Sequence, residues 1–327
     1  MSGALIKVKN LKKYFPVKRS LIFSRKAKNF VKAVDGVSFS IDPGETLSLV
    51  GESGCGKTTI SRLLLLLEEL TEGQIIFHDK DISQPSKEDL KQYRRSVQAM
   101  FQDPYSSLNP RMKIGDFISE PIKINQQLSN IEVTNKVHDL LNQVKLDPAC
   151  ASLYPHEFSG GQRQRISLAR AMAIDPSLLI LDEPVSALDV SVRAQLMNLL
   201  MDIQQDKNFA YLIIAHDLAT VRHMSNKMAV MYLGKLVEYS DSESIFAKRL
   251  HPYTKVLFSA ALPSRPGIQR ERLNIIGEVP SPINTPTGCR FHPRCQYHQD
   301  VCTEAEPELS STENGHLVAC HRWREIN

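Results

Sequence analysis

An α/β fold, with one large core and a small cysteine-bearing C-terminal extension, is predicted by three observations. Thr46-Leu47-Ser48-Leu49-Val50 is an apolar run of strand length that leads into a glycine-rich loop, Gly51 to Thr59, and Ile60-Ser61-Arg62-Leu63-Leu64 follows as a helix. Leu178-Leu179-Ile180-Leu181 is a second apolar run, ending in Asp182-Glu183, and suits a parallel strand buried on both faces. Four of the six cysteines fall in the tail, beyond a stretch from Pro263 to Pro286 that holds five prolines.

The first of these elements carries the clearest chemistry. Gly51-Glu52-Ser53-Gly54-Cys55-Gly56-Lys57-Thr58-Thr59 has a glycine, four variable residues, then Gly-Lys-Thr, in the strand–loop–helix context that a phosphate loop requires. The glycines let backbone N–H groups turn inward on phosphates. Lys57 places a point charge on the β/γ oxygens, and Thr58 offers a hydroxyl to Mg²⁺. Cys55 occupies a variable position with no catalytic duty, and alkylation there is expected to block nucleotide sterically.

Asp182 and Glu183 end the second apolar run, where open α/β sheets place their ligand chemistry. Asp182 suits the Mg²⁺ shell, and Glu183 suits the carboxylate that orients or deprotonates the attacking water. About twenty residues upstream, Ser159-Gly160-Gly161-Gln162 reads as a turn opening a helix, with backbone N–H groups exposed as a second anion site.

Taken together these motifs resemble the ATP-binding subunit of an ATP-binding-cassette (ABC) transporter, and the resemblance covers nearly the whole chain. Phe158 to Gln162 is similar to the family signature, with Phe for the commoner Leu; Gln102 resembles the Q-loop glutamine; Ser186-Ala187-Leu188-Asp189 matches the D-loop; and His216, after Tyr211-Leu212-Ile213-Ile214-Ala215, matches the switch histidine. Phe15 aligns with the aromatic that stacks on adenine, with Tyr14 as the neighbouring alternative. The resemblance implies two subunits sandwiching two nucleotides, so that Ser159, Gly160, Gly161 and Gln162 of one act in trans on the γ-phosphate held by the other. His216 would contact the γ-phosphate, and Gln102 would join Thr58 and Asp182 around Mg²⁺ and report occupancy to a membrane partner.

The implied fold is a P-loop, RecA-like nucleotide-binding domain over 1–250, with an antiparallel β entry and a helical signature subdomain at about 103–165. An extension over 251–327 follows. Ser240-Asp241-Ser242-Glu243 matches a capping box opening a further helix, and Leu63 to Leu67 reads as the buried helix behind the phosphate loop.

Composition agrees with this placement. A chain of 327 residues can bury one substantial α/β core and carry an appendage. A net charge of +4 makes no global case for nucleic acid as a partner. Lys7 to Lys32 holds ten basic residues and no acidic one, as a solvated edge or as a patch near an anionic membrane face. Residues 16–32 interrupt the expected early hairpin as an insertion. No run approaches the length of a membrane span and no signal-peptide pattern opens the chain. A cytoplasmic chain is therefore expected, peripheral to a membrane where other chains form the pore.

In such a chain Cys289, Cys295, Cys302 and Cys320 argue for a metal centre over disulfides. Spacing does not choose the metal, since the gaps match neither common zinc pairs nor common ferredoxin patterns. His292, His298, His316 and His321 are candidates to complete a mixed zinc site. Gly288 to Cys295 and Ala319-Cys320 resemble the C-terminal extension of oligopeptide/dipeptide importer ATPases, some of which carry a [4Fe-4S] cluster. The same subfamily is suggested by Phe101 to Arg111, where the family meets its membrane subunits, and by His251-Pro252-Tyr253-Thr254.

The resemblance implies ATP hydrolysis coupled to peptide import. Its partners would be a second ATPase subunit, two transmembrane permease subunits and, indirectly, an extracytoplasmic peptide-binding protein. Nickel, glutathione or sugar-like solutes are alternative cargoes within the subfamily. Cassette ATPases of DNA repair carry long inserts between phosphate loop and signature, whereas about a hundred residues without sustained heptads separate Lys57 from Ser159. Translation ATPases usually hold two cassettes, and a second phosphate loop is absent from this sequence.

Overall fold

The computed structural model describes residues 3–17, 29–101, 108–186, 188–260, 277–312 and 315–327. Gln102, Ala187, most of the 16–32 insertion and the first part of the proline-rich stretch lie outside them. In chain order the elements begin with β1 (Ile6–Pro16), β2 (Phe30–Ile41), β3 (Thr46–Val50), α1 (Lys57–Leu64), β4 (Glu72–Phe77) and β5 (Lys80–Asp81). Next come α2 (Lys87–Ser96), β6 (Val97–Met100), α3 (Ile114–Asn125), α4 (Asn130–Gln143), α5 (Gly160–Met172), β7 (Leu178–Asp182), α6 (Val190–Lys207) and β8 (Ala210–Ala215). The chain closes with α7 (Leu218–Met224), β9 (Lys227–Tyr232), β10 (Lys235–Asp241), α8 (Ser242–Ala247), α9 (Pro252–Ala260), α10 (Asp300–Glu304), β11 (Ser310–Ser311) and β12 (Leu317–Val318). Among the described residues no helix is long and apolar enough to cross a membrane.

Two compact units divide the chain, one of Met1–Leu5, Ile41–Thr46 and Phe77–Ile214, the other of Ile6–Ser40, Leu47–Ile76 and Ala215–Asn327. In the first unit β6, β7 and β8 run parallel in the order β8-β7-β6, with Val97 opposite Leu178 and Asp182 opposite Ile214. Every residue of β7 and β8 is buried, which explains why both read as unbroken apolar runs rather than alternating ones. Helices α3, α4 and α5 pack on one another, and α5 also packs on β6 and α6.

Pro121 lies inside α3 without ending it. The Phe117 carbonyl, which a proline four residues on cannot serve, accepts from Arg170 Nη1 at 3.4 Å. Arg170 also pairs with Glu120 at 2.7 Å and lies over the Phe117 ring, so the end of α5 is stitched to α3.

In the second unit β3 runs parallel to β9, and β10 continues the sheet antiparallel to β9. The tail then adds two strands, β12 antiparallel to β10 and β11 antiparallel to β12. The extension is therefore part of this unit's sheet. Strands β2, β1 and β4 are neighbours in that order, as the β entry. Val17 N–H donates to Asn29 O and Asn10 N–H to Ser38 Oγ, which sets β1 antiparallel to β2.

Two local expectations are corrected. Helix α1 ends at Leu64; Leu66 takes a left-handed φ of 52° and Leu67 is 55% exposed, so the apolar run outlasts the helix. The capping box expected at Ser240 does not form: β10 runs through Asp241, α8 starts at Ser242, and its N-cap is Asp241, one residue later than the Ser240–Glu243 spacing requires, with no side-chain cap bond.

Candidate functional site

The phosphate loop joins β3 to α1 within the second unit. Lys57 is 7% exposed, and its Nζ donates to the carbonyls of Gly51 (2.7 Å) and Glu52 (3.0 Å). Gly56, with φ of 112°, caps α1; a Cβ there would overlap the Ala33 carbonyl, so both conformation and space demand glycine. Ser53, Gly54 and Thr58 are exposed, while Gly56 and Thr59 are half-buried. Cys55 is 4% exposed, and burial raises its thiol pKa despite nearby Lys57. A buried thiol with little thiolate is a poor nucleophile, so alkylation at Cys55 is expected to be slow.

Glu52 is held by residues the sequence reading did not connect to it. Its carboxylate receives both Nη atoms of Arg294, at 2.9 and 3.1 Å, across 242 residues of chain. Its N–H donates to Tyr253 Oη at 2.8 Å. The His251-to-Thr254 segment, read only as a subfamily mark, thus opens α9 with a buried tyrosine that braces the loop. No local pattern signals either contact, because each partner lies in a different part of the chain.

Beside the entry strands, Tyr14 Oη donates to Asp35 Oδ1 at 2.5 Å, and Arg290 forms an ion pair with the same carboxylate. Burial opposes the charge of Asp35, but Tyr14, Lys235 and Arg290 together hold its carboxyl below the usual range. Burial, then the Asp35 bond, raises the pKa of Tyr14. Tyr14 is thus anchored by its hydroxyl, while Phe15 is half-buried with Lys13 Nζ 4.8 Å from its ring centre.

In the first unit Asp182 is the last residue of β7, and Glu183 follows with a left-handed φ of 48°. Its N–H donates to Ile214 O (3.0 Å), and its carbonyl accepts from the N–H (3.2 Å) and Oγ (3.1 Å) of Ser186. Ser159 is the N-cap of α5, with Ser159 Oγ accepting from Gln162 N–H at 3.4 Å and Gln162 Oε1 accepting from Ser159 N–H at 2.9 Å. Ser159 and Gln162 are exposed. A Cβ on Gly161 would strike Val192 Cγ1, so this glycine permits close packing of the turn against α6, whose N-cap is Asp189. The Ser159–Gln162 turn therefore lies against the first turn of α6.

His216 is exposed immediately after β8, and Asp217 caps α7 through Ala219 N–H at 3.0 Å. Gln102, the remaining expected site residue, lies outside the described residues, directly after β6 and Phe101.

Cys289, Cys295, Cys302 and Cys320 line one cavity, together with Phe291 and Arg322, and none is in a disulfide. Burial pushes the Cys289 thiol up to about 12 and the Cys320 thiol up to about 11, and it also raises Cys295. The space between them is about 20 Å³, room for about one water. Among the described residues no group of three or more His, Cys, Asp or Glu converges closely enough to hold a metal ion.

Of the four histidines expected to complete a mixed zinc site, His292 and His321 line this cavity and the other two do not. His316 instead meets buried Glu238 at 2.7 Å, and His298 does not line the cavity. His292 Nδ1 and His321 Nε2 each face a backbone carbonyl at 2.9 Å.

A strand–loop–helix phosphate site, a buried strand ending Asp-Glu and a capped Ser-Gly-Gly-Gln helix define an ABC-type nucleotide-binding cassette. The chain belongs to the ABC transporter family: residues 34–186 match the ABC transporter model, and residues 237–302 match the C-terminal region of oligopeptide/dipeptide transporters. It is 49% identical over 322 residues to the oligopeptide transport ATP-binding protein AppF of Bacillus subtilis, covering 98% of this chain and 97% of the relative. It is 47% identical to the dipeptide transport ATP-binding protein DppF of Haemophilus influenzae, with 97% and 96% covered. Among solved structures, cbiO1 from Clostridium perfringens, part of the ABC transporter complex cbiONQ, matches with a TM-score of 0.65 at 24% identity. That match covers 75% of this chain and 92% of cbiO1, and it supports the fold.

Proposed function

We propose that this chain is the ATP-hydrolysing subunit of a membrane importer of oligopeptides or dipeptides, peripheral to the cytoplasmic face of the membrane. The observations that carry the reading are an intact phosphate loop in the second unit and, in the first, Glu183 held in a strained turn at the end of a buried strand. Full-length relatives that transport oligopeptides and dipeptides support the cargo class. The cassette spans 1–250 and the extension 251–327.

Each residue has a task in this reading. Lys57, now engaged by loop carbonyls, turns to the β/γ phosphates, while loop N–H groups from Gly51 to Thr59 cradle them. Phe15 stacks on adenine. Thr58, Asp182 and Gln102 are the residues that would hold Mg²⁺, which would neutralise phosphate charge. Glu183 orients the attacking water, and His216 faces the γ-phosphate. The turn of Ser159, Gly160, Gly161 and Gln162, in which Ser159 and Gln162 are exposed, completes with Asp189 the site of a second ATPase subunit in trans. Two permease subunits and an extracytoplasmic peptide-binding protein complete the assembly.

The four tail cysteines are the donors for a [4Fe-4S] cluster. This is supported by their lining of one cavity from which Cys55 and Cys150 are absent.

The test is affinity purification of the tagged chain from detergent-solubilised membranes, with protein identification and iron and sulfide analysis. Two distinct membrane subunits, a second cassette and a peptide-binding protein are expected, with iron and sulfide in equal amounts. Recovery with ribosomes or DNA would overturn the transport reading; an iron-free extension would overturn the cluster alone.

A further inference from the structure

We propose that the C-terminal extension sets the nucleotide affinity of the phosphate loop in cis, with Arg294 as the positioning residue that holds Glu52. The proposal rests on the reading that the Gly51–Thr59 loop binds ATP. Nothing in it depends on what the cysteine cavity contains.

Glu52 is the second residue of the loop, and it is fixed at side chain and backbone by groups outside the loop. Arg294 grips its carboxylate through both Nη atoms, and Tyr253 Oη receives its N–H. The Glu52 carbonyl is in turn a partner of Lys57 Nζ. A continuous line therefore runs from the extension through Glu52 to the lysine that meets the phosphates.

Arg294 is built to hold still. It is 6% exposed, its guanidinium lies 5.8 Å from the Tyr232 ring centre and 5.9 Å from that of Phe291, and Nη1 also donates to Tyr232 Oη at 3.3 Å. The short turn that carries it is closed by Arg294 N–H to Phe291 O and Cys295 N–H to His292 O. A planar fork matched to a carboxylate fixes direction as well as distance.

Electrostatics point the same way. Glu52 puts a carboxylate in a loop that must receive a polyanion, and like charges at such range repel. Arg294 neutralises it. Without Arg294, the loop would lose a brace and regain an uncompensated negative charge.

The experiment is titration of Mg-ATP into the purified full-length chain, with KM and kcat measured in the assembled transporter. Arg294→Ala is expected to weaken ATP affinity about tenfold or more and raise KM in step, with kcat at saturation within about threefold of normal. Glu52→Gln added to Arg294→Ala removes the repulsive charge and is expected to recover the part of the lost affinity owed to charge, about two- to threefold, while the loss of the brace remains; a purely structural role for Arg294 would allow no recovery. A folded Arg294→Ala chain with affinity within about twofold of normal overturns the proposal, as does a double variant no better than the single one. Should Arg294→Ala not fold, Arg294→Lys keeps the charge but loses the fork; several-fold weaker binding is expected, and unchanged binding overturns the proposal. Lys57→Ala separates the two readings: if it binds ATP normally, the loop assignment itself fails.

Discussion

Glu183 is the residue at which local strain and proposed chemistry coincide. A left-handed backbone at a non-glycine residue costs of the order of 1–3 kcal/mol. Here the turn is held by hydrogen bonds to Ile214 and Ser186, so packing of β7 and β8 maintains it. A carboxylate held beyond the end of a strand in this way can orient a water without first reordering its own chain. Replacing Glu183 by Gln keeps size and backbone preference but removes the base. ATP binding to Glu183→Gln is expected to match the normal chain, and turnover to fall by about a hundred- to ten-thousand-fold. Near-normal turnover would remove Glu183 from the mechanism. The position of this residue was legible from the apolar run before it; the φ of 48° was not, because no side-chain pattern encodes it.

At the scale of elements, the signature helix and the tail differ in how much the sequence reveals. Ser159 with Gln162 three residues on is a local capping pattern, and the structure forms that box at the start of α5. The tail obeys no such local rule. Its β12 is two residues long and is placed by pairing with β10, while buried Glu238 on β10 accepts from Leu250 N–H (2.8 Å) and His251 N–H (2.9 Å). His251 is buried beside it, with Nδ1 accepting from Tyr253 N–H at 3.0 Å.

Burial, opposed by the nearby Glu238 charge, lowers the His251 pKa from 6.5 to about 4. Between these values the unfolded chain binds a proton that the folded chain does not. The stability from this group is therefore complete above pH 6.5 and lost as pH falls towards 4, by about 3 kcal/mol at most. Urea unfolding at pH 7 and pH 4.5 is expected to show this acid loss, and His251→Asn, which keeps an acceptor for Tyr253, to reduce it. An equal acid loss in both chains would contradict the assignment.

For the whole molecule, the motifs that bind phosphate were legible because each is continuous in sequence. The support around them was not. Arg294, Tyr253, Arg290 and Asp35 hold the loop and the entry strands through contacts between distant parts of the chain. The four cysteines were legible as a cluster, but their convergence on one cavity, and the diversion of His316 to Glu238, depend on the tail's path along β10. Under the proposed function the chain would be half of a catalytic unit, with the Ser159 turn serving a nucleotide held by a second subunit.

The most direct measurement is ATP turnover by an assembly in which this chain carries Ser159→Arg and the opposing cassette has its phosphate-loop lysine replaced by alanine. If the turn acts in trans, both lesions fall on one composite site. The other site stays intact, and turnover is predicted at about half of normal. If the turn acts in cis, each lesion disables a different site, and turnover at background level would contradict the account.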